Sequence, residues 1–275
     1  MFIGWLKPMD FREVVALADE VGWLLDAYHL KILHDYTPHL CYGAYENGQL
    51  VGVITSVVFE KSAMIKYFMV KQSHQRQGVG RRLLETLLSA LGNDRETLYT
   101  HAPFELIPFF KRYGFTQTMV VARYINAGKV PPFNFTNAHA KELDSVDFDK
   151  VMKEIDYETF GEVRTPFLFD EMERKSSLKL ATPNGYQHSS VVGTRHVYVG
   201  PWQVRSGAYA DAEKMMRGLL YFRGLKKVIA DIPYEVEEVR KLYEKYHFKS
   251  QSTMAHMIKG KRPDLKFENI YSFSL

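Results

Sequence analysis

The chain has 275 residues, 46% hydrophobic and 25% charged, with a net charge of +4. This composition excludes a disordered, collagen-like or disulfide-stapled protein, and the length suits one large domain or two of ordinary size. The single cysteine, Cys41, rules out an intramolecular disulfide and any cysteine-based zinc spacing, and it fits a reducing, cytoplasmic compartment. The first residues lack a basic leader and a long apolar core, so no secretory signal is expected, and no apolar run is long enough to predict a membrane span.

In chain order, Phe2 to Lys7 reads as a short strand, and residues 10–21 as a helix with Phe11, Val14, Val15 and Ala18 on one face. Residues 24–34 form a second helical stretch. Residues 39–46 and 49–60 flank Asn47-Gly48, a two-residue hairpin signal. Ala63 to Lys71 is predicted as one continuous strand. The stripe of Val79, Leu83, Leu84, Leu87, Leu88 and Leu91 predicts a helix over 79–91. A strand over Glu96 to His101, a short helix over 104–113 ended by Gly114, and a strand over Thr116 to Ile125 complete the first half. Residues 127–137, with Gly128, Pro131 and Pro132, read as a linker.

The second half repeats the punctuation of the first. Lys111-Arg112-Tyr113-Gly114-Phe115 returns as Glu244-Lys245-Tyr246-His247-Phe248, Asn47-Gly48 as Asn184-Gly185, and Asp10-Phe11 as Asp147-Phe148. The spacing of these landmarks implies a duplication in which the second copy lost four residues after its hairpin. The expected fold class is therefore α/β (α+β, mixed sheet). Two tandem domains, 1–126 and 138–275, would each carry a mostly antiparallel central sheet flanked by helices.

The segment with the clearest chemistry is Gln75-Arg76-Gln77-Gly78-Val79-Gly80-Arg81-Arg82, between a strand and the most periodic helix. Its glycines let backbone approach a ligand, and the helix N-terminus offers unpaired N–H groups to an anion. Three arginines beside a positive dipole end are locally unfavourable, and a bound polyanion would reverse that sign. The loop is neither a dinucleotide-binding GxGxxG nor a Walker A motif. The matching stretch of the second copy, Gly207-Ala208-Tyr209-Ala210-Asp211-Ala212-Glu213, carries two carboxylates that would repel a pyrophosphate.

The run Val70-x4-Gln75-x-x-Gly78-x-Gly80 followed by an amphipathic helix resembles the acetyl-coenzyme A loop of GNAT N-acetyltransferases. Phe109-Phe110-Lys111-Arg112-Tyr113-Gly114-Phe115 resembles their second signature. Asp156-x3-Phe160-Gly161-x2-Arg164, Gly185-Tyr186, Gly200-Pro201-Trp202 and Ala255-x-Met257-x-x-Gly260 resemble the C-terminal partner of tandem GNAT proteins. The resemblance implies that acetyl-coenzyme A is the co-substrate, with no metal, and that the acyl group passes directly to a primary amine, first of all that of a small molecule. It places Phe68, Met69 and Val70 beside the pantetheine arm, and Gln75, Arg76, Gln77, Gly78, Val79, Gly80 and Arg81 around the pyrophosphate. Arg112 takes the place of a further coenzyme-binding cation. The tyrosine that usually serves as proton donor is replaced by Phe110, which leaves Tyr67, His101 and Tyr113 as candidates for proton transfer. The acceptor site is expected between the copies, with Trp23, Asp156, Arg164, Tyr186 and Trp202 as its candidate residues. Asp156 with Arg164 also suits a purely structural pair, and Trp202 a core position.

Two other readings compete. The run Lys259, Lys261, Arg262 and Lys266 suggests a nucleic-acid surface, but +4 over 275 residues is weak support and no recognition motif accompanies it, so neither nucleic acid nor membrane is expected as a partner. A non-catalytic acyl-coenzyme A-binding scaffold fits the missing tyrosine. A monomer or a homodimer is equally compatible with the sequence.

Overall fold

The computed structural model describes residues 1–193, 196–224 and 226–274. They form two compact units that are not sequential. One comprises Met1–His101 with Ile258–Arg262, the other Ala102–Met257 with the segment from Pro263 onward. The chain therefore divides by contacts at His101, whereas the sequence landmarks divide it at the 127–137 stretch.

The first unit holds β1 (Phe2–Trp5), α1 (Phe11–Glu20), α2 (Ala27–Tyr36), β2 (Cys41–Glu46), β3 (Gln49–Val58), β4 (Ser62–Ile65), β5 (Met69–Val70), α3 (Val79–Leu91) and β6 (Thr97–Ala102, its last residue counted with the other unit). Its strands run in the order β1-β2-β3-β4-β6, antiparallel except for the parallel pair β4 and β6. The hairpin turns at Asn47 and Gly48, both at positive φ, which is the demand a two-residue primed turn makes. Helix α3 has the predicted bounds and buries Val79, Leu83, Leu84, Leu87 and Leu91. The second helical stretch begins three residues later than expected, because Asp26 caps it by accepting from the His29 amide at 3.0 Å.

The predicted continuous strand over 63–71 is broken. Residues 66–68 lie between β4 and β5, and the partner register moves from Ser56 opposite Ile65 to Val53 opposite Met69, one residue extra on the outer side. Apolar continuity reads through such a bulge, since a single added residue leaves no mark in composition. Likewise the expected helix over 104–113 is a 3-10 turn followed by the short α4 (Ile107–Lys111), with Pro108 in its first turn.

The second unit continues with β7 (Thr116–Ala127), α5 (Asn137–Asp144), α6 (Phe148–Phe160), α7 (Thr165–Met172), β8 (Leu178–Thr182), β9 (Gly185–Val192), β10 (His196–Val204), α8 (Tyr209–Arg223), β11 (Lys227–Pro233), α9 (Glu237–Lys245), β12 (Lys249–Gly260) and β13 (Ile270–Ser272). The order is β12-β7-β11-β10-β9-β8, with β13 on β10, and β10 with β11 is its parallel pair. Helix α5 and strand β13 have no counterpart among the elements read for the first half. The core on one sheet face gathers Trp202, Met215, Met216, Leu219, Tyr243 and Tyr271. Strand β12 serves both units, since its residues from Ile258 belong with the first. There Lys261 donates its backbone N–H to Glu96 O at 2.8 Å.

The duplication is visible in detail. Phe110 packs edge-on to Phe115 at 5.4 Å, and Tyr243 to Phe248 at 5.0 Å. The Phe115 amide donates to Phe110 O, and the Phe248 amide to Tyr243 O. Each pair closes through a left-handed residue, Gly114 at φ 83° and His247 at φ 62°.

Candidate active site

The site begins where two parallel strands part. β4 and β6 pair through Ile65 and Thr100 and no further. Past that point β5 keeps β3 as its one strand neighbour among the described residues. Tyr67 lies in the break between β4 and β5, two residues past the last parallel pair, and His101 follows Thr100 on β6. Tyr67 is buried at 3% exposure and meets the Trp23 ring edge-on at 6.1 Å. His101 is half-buried. The opening thus has an aromatic wall on the Tyr67 side and an imidazole on the other strand.

Strand β5 leads into the loop over 71–78. Gln75 Nε2 donates to Val70 O at 3.1 Å, and Gln77 Nε2 donates to Ser73 O at 2.8 Å, so both glutamines hold the loop's own shape. Arg76 sits at φ 60° and Gly78 at φ 84°. Gly78 is the N-cap of α3, and no side chain caps that helix. The first amides of a helix lack intrahelical acceptors, and here nothing from the chain's side chains takes the capping role. Arg76, Arg81 and Arg82 are exposed around this end, Arg81 with Nε 2.9 Å from Glu85. Gly80 packs flat on the strand: an added Cβ would lie 3.3 Å from the Phe68 ring and 3.6 Å from Val70 Cγ2. An added Cβ at Gly78 would meet nothing within 4 Å. A helix start without a side-chain cap, a glycine cradle and surrounding arginines fit the phosphates of a coenzyme, and the edge of β5 left without a second strand fits an extended amide-bearing arm.

The second unit shows the same frame with the loop removed. Ser62 faces Thr97, while His196 faces Lys227, so the second half is four residues shorter between its parallel partners. The difference sits in the loop, 71–78 against 205–208. The Asp211 carboxylate accepts from Asn184 Nδ2 at 2.9 Å. Glu213 accepts from Arg217 at 2.6 Å, Lys245 at 2.8 Å and the Tyr246 hydroxyl at 2.8 Å. Burial raises the Glu213 pKa, but these three donors outweigh it and hold the group at about 2. A fixed carboxylate stands on the helix that follows the shortened loop, where the first unit gathers arginines.

Of the other candidates, Arg112 is exposed at the C-cap of α4, and the Tyr113 ring lies tilted 57° to Phe109 at 5.4 Å; both are in the second unit. Asp156, Arg164 and Tyr186 come together. Asp156 is fully buried and accepts from Arg164 at 2.6 and 3.1 Å and from the Tyr186 hydroxyl at 3.2 Å. Gln203, absent from the sequence candidates, adds a fourth bond from Nε2 at 2.9 Å. Trp202 is its neighbour on β10 and therefore points to the other sheet face. It is fully buried there, with its ring 5.3 Å from Tyr271. Glu171 on α7 is 4% exposed, and its Oε2 has no hydrogen-bond partner among the described residues. The Phe110 position is core in both halves: Phe110 is 1% exposed, and burial holds the Tyr243 hydroxyl well above its ordinary pKa. Cys41 is buried, and that burial pushes its thiol up to about 12, so the sulfur is not a thiolate at neutral pH. Among the described residues no cluster of His, Cys, Asp and Glu assembles for a metal, and no helix is long and apolar enough to cross a membrane.

Two family profiles, each described as an acetyltransferase (GNAT) domain, match residues 37–117 and 152–272. The chain belongs to the GNAT acetyltransferase family and carries two such domains in tandem. A candidate acetyltransferase from Pyrococcus horikoshii is similar over 100% of this chain and 94% of its own, at 20% identity and a TM-score of 0.83. A GNAT N-acetyltransferase from Sphaerobacter thermophilus is similar over 98% of both chains, at 12% identity and a TM-score of 0.62. A tandem GNAT protein of the clavulanic acid biosynthesis pathway covers 94% of this chain and 97% of its own, at 14% identity and a TM-score of 0.63. At these identities the likeness is one of fold. No curated protein matches the chain.

Proposed function

We propose that the protein is an N-acetyltransferase that moves an acetyl or other short acyl group from acetyl-coenzyme A to the primary amine of a small molecule, by direct transfer in its first half. In this reading residues 1–126 bind the coenzyme, 127–137 link, and 138–275 form a degenerate copy. The observation that carries it is the glycine-started helix α3, without a side-chain cap, behind the edge of β5 that no second strand pairs among the described residues. The coenzyme would supply the activated thioester. The loop amides from Gln75 to Arg81 would bind its pyrophosphate with Arg76 as counter-charge, Phe68 to Val70 would line the arm, and Arg112 is the further cation of the family pattern. Metal is not part of the scheme, and a reducing cytoplasmic setting goes with a single buried thiol.

Transfer needs a neutral amine and a proton for the departing thiolate. His101 on β6 and Tyr67 in the break after β4 follow closely on the last pair of the two parallel strands. We assign His101 to accept the amine proton, since a neutral imidazole has a ring nitrogen that can take one up, and Tyr67 to donate its hydroxyl proton to the thiolate. Tyr113 is the reserve candidate. Trp23, edge-on to Tyr67, is assigned to the acceptor side. The polar network of Asp156, Arg164 and Tyr186 is assigned to scaffolding in the second half, with Trp202 in its core.

Calorimetric titration of acetyl-coenzyme A into the full chain, followed by a panel of small amines, tests the reading. One molecule bound per chain together with turnover supports it, and absence of binding refutes it. The second reading, a non-catalytic acyl-coenzyme A-binding protein, draws on Phe110, a buried ring where the family pattern has a hydroxyl. Binding without turnover on any amine would favour it.

A further inference from the structure

In the second unit the parallel strands β10 and β11 also part. They pair from His196 with Lys227 to Val199 with Ala230, and β10 then gains one extra residue against β9. Beyond that bulge the outer edge of β10 is covered. β13 runs antiparallel along it, with Ser272 opposite Trp202 and Ile270 opposite Gln203. The same segment reaches the other wall of the wedge, since the Phe273 amide donates to Asp231 O at 2.9 Å on β11. Ser272 Oγ donates to Val199 O at 2.7 Å. The Tyr271 hydroxyl donates to Glu238 at 2.5 Å, and its ring is buried against Trp202. The Tyr198 hydroxyl donates to Phe273 O at 3.2 Å.

The wedge is shaped for this backbone. Gly200, on the bulge, has φ 148°, and a Cβ there would fall 1.9 Å from Phe273 O. No side chain fits between the two backbones. An extended peptide presents amide groups at about 3.3 Å per residue along such an edge, which is the chemistry an amide-bearing arm would offer to β5 in the first unit.

We propose that the wedge of the second half is a strand-binding site whose ligand is this chain's own segment 270–273, held there permanently in the place that the coenzyme arm takes in the first half. The comparison with the coenzyme arm rests on the function proposed above; the occupancy of the second wedge does not. The second half therefore takes no coenzyme for two separate reasons, a filled wedge and a shortened loop whose following helix carries Asp211 and Glu213 in its first turns. Its sheet is completed by protein rather than by ligand.

Hydrogen exchange on the full chain, free and with saturating acetyl-coenzyme A, tests this alongside the calorimetric stoichiometry. The peptide covering 268–274 is expected to exchange at least about 100-fold slower than exposed loops, and equally slowly with the coenzyme present. Gly200→Ala is expected to abolish that protection by expelling the strand. Should that variant fail to fold, Tyr271→Phe and Ser272→Ala serve instead. Each removes one hydrogen bond and is expected to lower the protection about 5- to 10-fold. Fast exchange of 268–274 in the unmodified chain would overturn the proposal. So would loss of its protection as a second coenzyme equivalent binds, which would make the strand a displaceable lid. A chain that binds no coenzyme but keeps 268–274 protected would refute the proposed function and leave the strand site standing.

Discussion

Replacing Asp156 by Ala tests the most concentrated interaction in the second half. The carboxylate is fully buried, and four hydrogen bonds converge on it: two from Arg164, one from Tyr186 and one from Gln203. Arg164 is itself 7% exposed and lies over the Phe160 ring. The substitution takes from the guanidinium the counter-charge that holds it through two hydrogen bonds, in a place where water cannot easily reach it. Removing one partner of such a pair costs about 3–5 kcal/mol. At about 2–4 °C per kcal/mol for a domain of this size, the thermal midpoint of the second half should fall on the order of 6–20 °C. Denaturant unfolding with a tryptophan fluorescence readout can follow this, because Trp202 lies in the same unit. The double variant Asp156→Leu with Arg164→Met should recover most of the loss, since replacing both partners removes the desolvation penalty along with the attraction. A loss below about 1 kcal/mol in the single variant, the range of exposed ion pairs, would show that the pair is hydrated and refute the burial argument. A raised KM for the amine at unchanged stability would instead return Asp156 to the acceptor site.

Gly80→Val should abolish coenzyme binding while leaving the second half's unfolding unchanged, because the added carbons meet the Phe68 ring from 3.3 Å outward; calorimetry beside circular dichroism checks both. Tyr67→Phe should lower kcat about 100-fold with coenzyme affinity retained, and an unchanged kcat would remove Tyr67 from proton transfer. His247→Gly should stabilise the chain by roughly 0.5–1 kcal/mol, since His247 holds φ 62° where the first half has a glycine; a falling denaturation midpoint would show that the imidazole contributes more than its backbone costs. Glu213 has a folded pKa of about 2 against an ordinary 4.5, so its stabilisation is complete above about pH 4.5 and is lost as the pH falls toward 2. Glu213→Gln should flatten that acid limb in a thermal-midpoint titration, and an unaltered limb would assign it to other carboxylates.

Local order was largely legible in the sequence. Helix α3 could be bounded because its leucine stripe stops at Gly92, which takes φ 59°, and starts after Gly78, which takes φ 84°. The first hairpin announced itself through Asn47-Gly48, whereas the second turns one residue earlier than its Asn-Gly suggests, at Pro183-Asn184, with Gly185 already paired opposite Thr182; the repeat showed through residues whose backbone positions recur, such as Gly114 and His247. The anion loop was legible for the same reason: glycines and clustered arginines are local demands of backbone and charge.

What depends on partners far along the chain was decided by tertiary structure. The break at 66–68 follows from where β4 leaves β6, a strand some 35 residues on. Asp156 and Arg164 lie eight residues apart and could be paired by eye, but Gln203 joins them from 47 residues away. β13 was invisible as a strand because its three residues find their strand partner on β10, in a wedge that exists once β10 and β11 have parted. Hydrophobic pattern and turn chemistry act over a few residues and can be read in order. The filling of an edge is settled by which segment the folded sheet brings to it, and no stretch of sequence carries that information alone.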